Sequence, residues 1–181
     1  MDTGKSPEKA QRRLVTVTGP DRPGLVAAVA GVFAEEGVDL EDITMTRLSG
    51  NFATMLLTRG GEEELLRRKL AGIAEKFNLR IHTEPAVEHG QEPEPDCYIS
   101  ASGPNKTGIV AALSQALAER NVNILEMTTR LLERTKVPVY FVRIEAVVAT
   151  GGCEALRADL EAVGKKLGIE VRVEPVDYAD M

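Results

Sequence analysis

Residues that carry chemistry are scarce in this sequence. It has two cysteines, two histidines and no tryptophan, and aromatic residues make up 4% of the chain. Cys97 and Cys153 form no CxxC pair and suggest no disulfide framework. A reducing cytoplasm is therefore the expected compartment, and both thiols are expected to be incidental. His82 and His89 have no carboxylate or cysteine partner in register, which argues against a metal site. No GxSxG, Walker loop or HExxH occurs, and no pair of acids occupies an obvious cleft. Neither an enzyme nor a cofactor is expected. No apolar run approaches the roughly 18 residues of a membrane-spanning helix. Met1 to Gln11 is polar and reads as a flexible tail, not a secretory signal. Twenty-two basic residues face 28 acidic ones, a net charge of -6. That excess gives no general attraction to nucleic acid or to anionic membranes.

What the sequence does have is an internal repeat. Gly19-Pro20-Asp21-Arg22-Pro23-Gly24-Leu25-Val26-Ala27-Ala28 returns as Gly103-Pro104-Asn105-Lys106-Thr107-Gly108-Ile109-Val110-Ala111-Ala112, an offset of 84. The register holds without a gap to Val38-Asp39-Leu40, which returns as Val122-Asn123-Ile124. About ten of some 35 paired positions are identical. Leu66, Leu70, Ile73 and Phe77 share one helical face. Leu156, Leu160, Val163 and Leu167 keep that spacing at an offset of 90, and Glu84-Pro85 returns as Glu174-Pro175. The growth of the offset places a longer middle connection in the second copy, around Glu133 to Pro138. Copies of this length are duplicated domains and not solenoid units.

Each copy reads as β-α-β-β-α-β. In the first, residues 14–18 form a short β-branched strand, and 21–36 a helix with Val26, Val29, Ala30 and Phe33 on one face. Gly37 ends that helix. Residues 39–47 are a strand, Gly50-Asn51 a turn, and 52–58 the third strand. A second helix spans 62–77 and a last strand 79–83. The second copy follows at 98–102, 105–120, 123–132, 139–147, 152–167 and 170–175. This order predicts an α+β fold of two ferredoxin-like βαββαβ domains, each a four-stranded antiparallel sheet with two helices on one face. The expected division is a tail at 1–12, a first domain at 13–86, a Glu/Pro linker at 87–96 and a second domain at 97–177. A bare sheet face and open edges favour side-by-side pairing of the copies, within one chain or in a homodimer.

A first strand, then Gly19-Pro20-Asp21-Arg22-Pro23-Gly24-Leu25-Val26 opening a helix, then Gly37-Val38-Asp39-Leu40 entering a strand, resembles the ACT domain. The resemblance covers nearly the whole chain from Leu14 to Val176. Within that family, two copies in a chain of this length are similar to the glycine cleavage system transcriptional repressor. The Gly-Pro-Asp-Arg-Pro-Gly form is also similar to the amino-terminal domain of formyltetrahydrofolate hydrolases. The resemblance implies a regulatory protein that senses an amino acid, glycine or serine, at an ACT–ACT interface. It further implies control of glycine and one-carbon metabolism through a protein partner. No helix-turn-helix remains once the βαββαβ pattern is assigned, so direct nucleic-acid binding is not expected. The rival readings are a ligand-free interaction module and a detached regulatory part of a formyltetrahydrofolate hydrolase-like enzyme.

The two glycine-rich loops are the candidate ligand site. Asp21 and Asn105 are expected at the first position of a helix, as N-caps. Free N–H groups and the positive dipole end there can receive a carboxylate. Gly24 and Gly108, followed by Leu25 and Ile109, let a ligand approach the backbone closely. Arg22 and Lys106 add a positive charge to each loop. Asp39 and Asn123 start the next strand and are expected on the same side of the fold. The resemblance implies an Asn at both positions in amino-acid-binding members, and the second copy has both. An amide offers a donor to a carboxylate and an acceptor to an ammonium. The first copy has Asp at both, which holds an ammonium but repels a carboxylate. The second copy is therefore the favoured binder of a zwitterion.

Overall fold

The computed structural model describes residues 11–87, 93–133, 138–149 and 151–176. The chain divides into two compact units, Met1–His89 and Gly90–Met181. Most of the expected tail, the middle of the expected linker and the centre of the long second-copy connection lie outside the described residues. So does His89.

The first unit runs β1 (Arg12–Pro20), α1 (Leu25–Glu35), β2 (Asp39–Leu48), β3 (Asn51–Arg59), α2 (Glu63–Phe77) and β4 (Arg80–Pro85). The second runs β5 (Cys97–Pro104), α3 (Ile109–Glu119), β6 (Val122–Leu132), β7 (Val139–Val148), α4 (Gly152–Leu167) and β8 (Glu170–Pro175). The sheets are ordered β2-β3-β1-β4 and β6-β7-β5-β8, with antiparallel pairing throughout. This is the ferredoxin-like α+β arrangement, present twice.

Strand alternation builds each core. Val15 and Val17 of β1 and Phe52 and Leu56 of β3 point to the helix side, where Leu25, Val29, Phe33, Leu66 and Leu70 meet them. Ile99, Ala101, Val142 and Ile144 do the same against Leu113, Leu117, Leu156 and Leu160. Each such aliphatic side chain contributes roughly 1.5–3 kcal/mol when fully buried. Val26 departs from the expected core face and is 42% exposed. It sits in the first turn of α1 and lines an open groove instead.

Helix ends follow one device. The Val38 N–H donates to the Phe33 carbonyl at 2.9 Å and the Gly37 N–H to Ala34 at 3.2 Å, with Gly37 at φ 62°. This satisfies carbonyls that the helix leaves over and turns the chain into β2. Asn78, Asn121 and Gly168 hold the same place after α2, α3 and α4, all at positive φ.

Three local expectations are corrected. The helices do not open at Asp21 and Asn105. They begin at Leu25 and Ile109, capped by Gly24 at φ 89° and Gly108 at φ 93° without a side-chain cap bond. A left-handed residue cannot continue a right-handed helix, so the preceding residues form a loop. The hairpin turn is Ser49-Gly50, both at positive φ, and not Gly50-Asn51. Two positive φ values make the primed turn whose twist suits an antiparallel pair, and Asn51 is already paired with Leu48.

The third correction concerns the cysteines. Cys97, at the start of β5, and Cys153, in the first turn of α4, are disulfide-bonded with their Cα atoms 5.6 Å apart. They stand 56 residues apart in sequence, and only the tertiary packing of α4 on β5 brings them together. The cysteine argument for a reducing compartment falls with this pairing.

Candidate functional site

The loop between β1 and α1 forms one wall of an open cavity of about 430 Å³ in the first unit. Its other wall is β2 and β3. The hairpin register sets Arg47 opposite Phe52 and Met45 opposite Thr54, which places all of them on the helix side of the sheet. Met45 is about half exposed there. The cavity is lined by Arg22, Gly24, Leu25 and Val26 on the loop and by Met45 and Phe52 on the strands. Asp21 and Arg47 complete it. Its volume falls in the usual range of small-molecule sites, roughly 300–1,000 Å³.

Asp21 and Arg47 form an ion pair across the mouth of this cavity. The Asp21 N–H is fixed on the Gly50 carbonyl at 2.9 Å, which ties the loop to the hairpin. The Arg47 side chain is 66% exposed and that of Asp21 22%. An exposed pair of this kind is worth about 0–1 kcal/mol, so either partner can be exchanged at little cost. The first turn of α1 adds N–H groups that have no intrahelical acceptor.

Of the expected first-copy residues, Asp21, Arg22, Gly24 and Leu25 come together at this cavity. Leu25 is buried and forms its floor. Asp39 does not join them. β2 runs parallel to β1, because both are antiparallel to β3. Asp39 therefore lies opposite Arg59, at the end of the sheet where β1 begins, while Asp21 follows the other end. About 25 Å of strand separates Asp39 from Arg47, at roughly 3.3 Å per residue. The same topology separates Asn123 from Asn105, so the expectation that these pairs share one side of their unit is corrected.

The second unit repeats the geometry with different chemistry. Gly108 again precedes the helix, Ile109 is buried, and Asn105 is exposed in the loop. Lys106 is turned away from ligand duty: its Nζ donates to the Leu167 carbonyl at 2.7 Å, at the C-terminus of α4. Leu131 pairs with Tyr140 as Arg47 pairs with Phe52, so the cation at the mouth is replaced by leucine. Arg47 was the residue that sequence reasoning missed. Its signal was the register of the Ser49-Gly50 hairpin, which is set by the turn and not by the motif.

The ACT domain model matches residues 11–84 and again 97–174. The chain belongs to the ACT domain family. An ACT-length relative, a UPF0237 protein of Methanopyrus kandleri, is 36% identical over 78 residues, which cover 43% of this chain and 87% of the relative. A UPF0237 protein of Streptococcus pneumoniae is 31% identical over 79 residues, covering 42% and 90%. Among solved structures, an unknown protein from Galdieria sulphuraria matches with a TM-score of 0.80 at 22% identity, over 93% of this chain and all (100%) of that one. A proposed glycine cleavage system transcriptional repressor matches with a TM-score of 0.69 at 16% identity, over 93% and 98%. These two structures share the tandem ACT fold.

The described residues of the two ACT units include no group of three or more His, Cys, Asp or Glu able to hold a metal ion. Among them, no helix is long and apolar enough to cross a membrane.

Proposed function

We propose that this tandem ACT protein is a regulatory module that binds an amino acid in the β1–α1 groove of its first unit. The observation that carries the reading is the Asp21–Arg47 pair at the mouth of the 430 Å³ cavity. An ion pair of opposite groups is complementary to a zwitterion. The ligand carboxylate takes Arg47, with the α1 N-terminus behind it, and the ligand ammonium takes Asp21. The objection that Asp21 repels a carboxylate loses its force once Arg47 stands beside it. The apolar floor of Leu25, Val26, Met45 and Phe52 packs against the ligand's Cα.

The regulated process is amino-acid metabolism, with glycine or serine as the ligand and a protein partner as the effector. The tandem fold shared with a proposed glycine cleavage repressor agrees with this assignment. The net charge of -6 favours action through a protein and not on DNA. Each sheet has two edge strands, β2 and β4 in the first unit and β6 and β8 in the second, and pairing of ACT units by such edges, in the chain or in a homodimer, is part of the reading.

The test is calorimetric titration of the full chain with glycine, serine and the other amino acids. Arg47→Leu, which installs the second unit's residue type, weakens binding about tenfold or more, a loss near 1.4 kcal/mol. Asn105→Ala leaves it unchanged. Loss in Asn105→Ala alone would move the site to the second unit. Absence of binding by every amino acid would favour the ligand-free interaction module.

A further inference from the structure

Four corresponding positions in the two units have opposite chemistry. In the second unit they are Cys97, Cys153, Ala146 and Val173, all buried. The sheet registers identify their counterparts. Arg13 pairs with Thr58 as Cys97 pairs with Ala146. Thr83 pairs with Val15 as Val173 pairs with Ile99. Glu63 stands three residues before Leu66, as Cys153 stands three before Leu156. Where one unit is closed by a disulfide and apolar packing, the other has Arg, Glu and two Thr.

Those four side chains line a cavity of about 60 Å³ between the sheet and α2, with Val15, Phe33, Leu66 and Leu70 as its apolar wall. Arg67 also lines it, but its guanidinium is held by Glu64 at 2.7 and 2.8 Å. Arg13 is 6% exposed. Its Nη1 donates to the Gly60 carbonyl at 2.7 Å, and its Nη2 to Gln11 Oε1 at 3.2 Å and the Gly61 carbonyl at 3.3 Å. All three acceptors are neutral. The Arg13 Nε–H is buried with no acceptor among the described residues. No ion pair among those residues includes Arg13.

A guanidinium stays charged at any ordinary pH. A buried guanidinium that makes no ion pair among the described residues, and keeps one N–H without an acceptor, offers a donor to an anion. We propose that the cavity is a second binding site, separate from the amino-acid groove, for a small planar monocarboxylate of formate or acetate size. The carboxylate accepts from the free Nε–H of Arg13, and the Thr83 hydroxyl borders it, while the Thr58 hydroxyl is committed to the Arg13 carbonyl at 3.2 Å. Glu63 opens α2, so the positive end of that helix lies beside the cavity. Size sets the class: about 60 Å³ holds roughly four waters, which suits three or four heavy atoms and is small for most amino acids. Glu63 is the one anionic group on the wall, and it opposes the ligand.

The experiment is a titration of the full chain with sodium formate at constant ionic strength, read at the Arg13 Nε–H resonance by NMR. The expected result is a saturable shift that sodium chloride does not reproduce. Thr83→Val, which keeps Arg13 in place, weakens it severalfold, and Glu63→Gln strengthens it severalfold by removing the repulsion. Thermal unfolding of the first unit follows the same order, so the test does not depend on whether an Arg13 variant folds. No saturable shift with formate or acetate in either the wild type or Glu63→Gln would overturn the proposal. So would an equal response to chloride, or a large shift of the Nε–H caused by Glu63→Gln alone, which would make Glu63 the internal counter-ion.

Discussion

Reduction of the Cys97–Cys153 bond separates the stability of the two units. The bond joins residues 56 apart. In the chain-entropy picture, a loop of that length removes about 4 kcal/mol of unfolded-state freedom at 25 °C. A whole domain is stable by only about 5–15 kcal/mol. For a unit of this size each kcal/mol moves the melting temperature by about 4–8 °C, so reduction lowers the second unit's transition by about 15–30 °C. The first unit contains no cysteine, and its transition stays where it was. The assay is thermal unfolding by circular dichroism and calorimetry, with and without reductant. Cys97→Ala, Cys153→Ala and the double variant should agree within about 0.5–1 kcal/mol, because either single change breaks the same bond. Thiol titration of the unreduced, denatured protein should find no free thiol. Two free thiols, or identical melting curves in both conditions, would refute the reasoning.

Further outcomes follow from particular contacts. A Cβ at Gly19 would lie 2.7 Å from Leu79 Cδ2 and 3.0 Å from the Asn78 carbonyl oxygen, and one at Gly103 2.7 Å from Ile169 Cγ2. Gly19→Ala and Gly103→Ala therefore cost about 1–3 kcal/mol in urea unfolding, as overpacking does. Gly24→Ala meets no atom within 4 Å, and its cost of about 1 kcal/mol comes only from the positive φ. Glu41 sits in the β2 bulge, where the register skips from Leu40 to Asp42. Burial pushes its carboxyl up, but hydrogen bonds and charges from Arg12 and Arg59 outweigh burial and hold it below its ordinary value. A lowered folded-state value means that this cluster's stabilisation is complete above the ordinary glutamate range and is lost as pH falls through the lowered value. Glu41→Gln should flatten that acid-side slope in pH-dependent unfolding, and an unchanged slope counts against the cluster. Lys106→Met removes the cation from the end of α4 and costs about 0.3–1 kcal/mol, with amino-acid affinity unchanged in calorimetry.

The sequence showed the repeat, the βαββαβ order in both units and most of the core faces, because those are periodic signals. Leu66 and Leu70, and again Leu156 and Leu160, are buried where their spacing placed them. The strands run longer than their apolar stretches at Arg12, Pro20 and Cys97, since backbone pairing continues after the side-chain alternation fades. The helix starts were misplaced at Asp21 and Asn105. A good capping residue and a left-handed glycine three positions later compete for the same role, and the glycine prevailed. At the groove, Asp21, Arg22, Gly24 and Leu25 were visible as a motif. Arg47 was not, because only the hairpin register carries it to the loop. Arg13 and the cysteine pair were invisible for a related reason: each is defined by partners in distant elements that no local spacing encodes.

The most direct test of amino-acid sensing is thermal unfolding of the full chain against the twenty amino acids. A ligand present at a hundredfold excess over its Kd stabilises the native state by about 2.7 kcal/mol. The predicted result is a rise of several degrees in the first unit's transition with one or two small amino acids, abolished by Arg47→Leu and retained in Asn105→Ala. No shift of either transition with any amino acid would contradict the sensor reading.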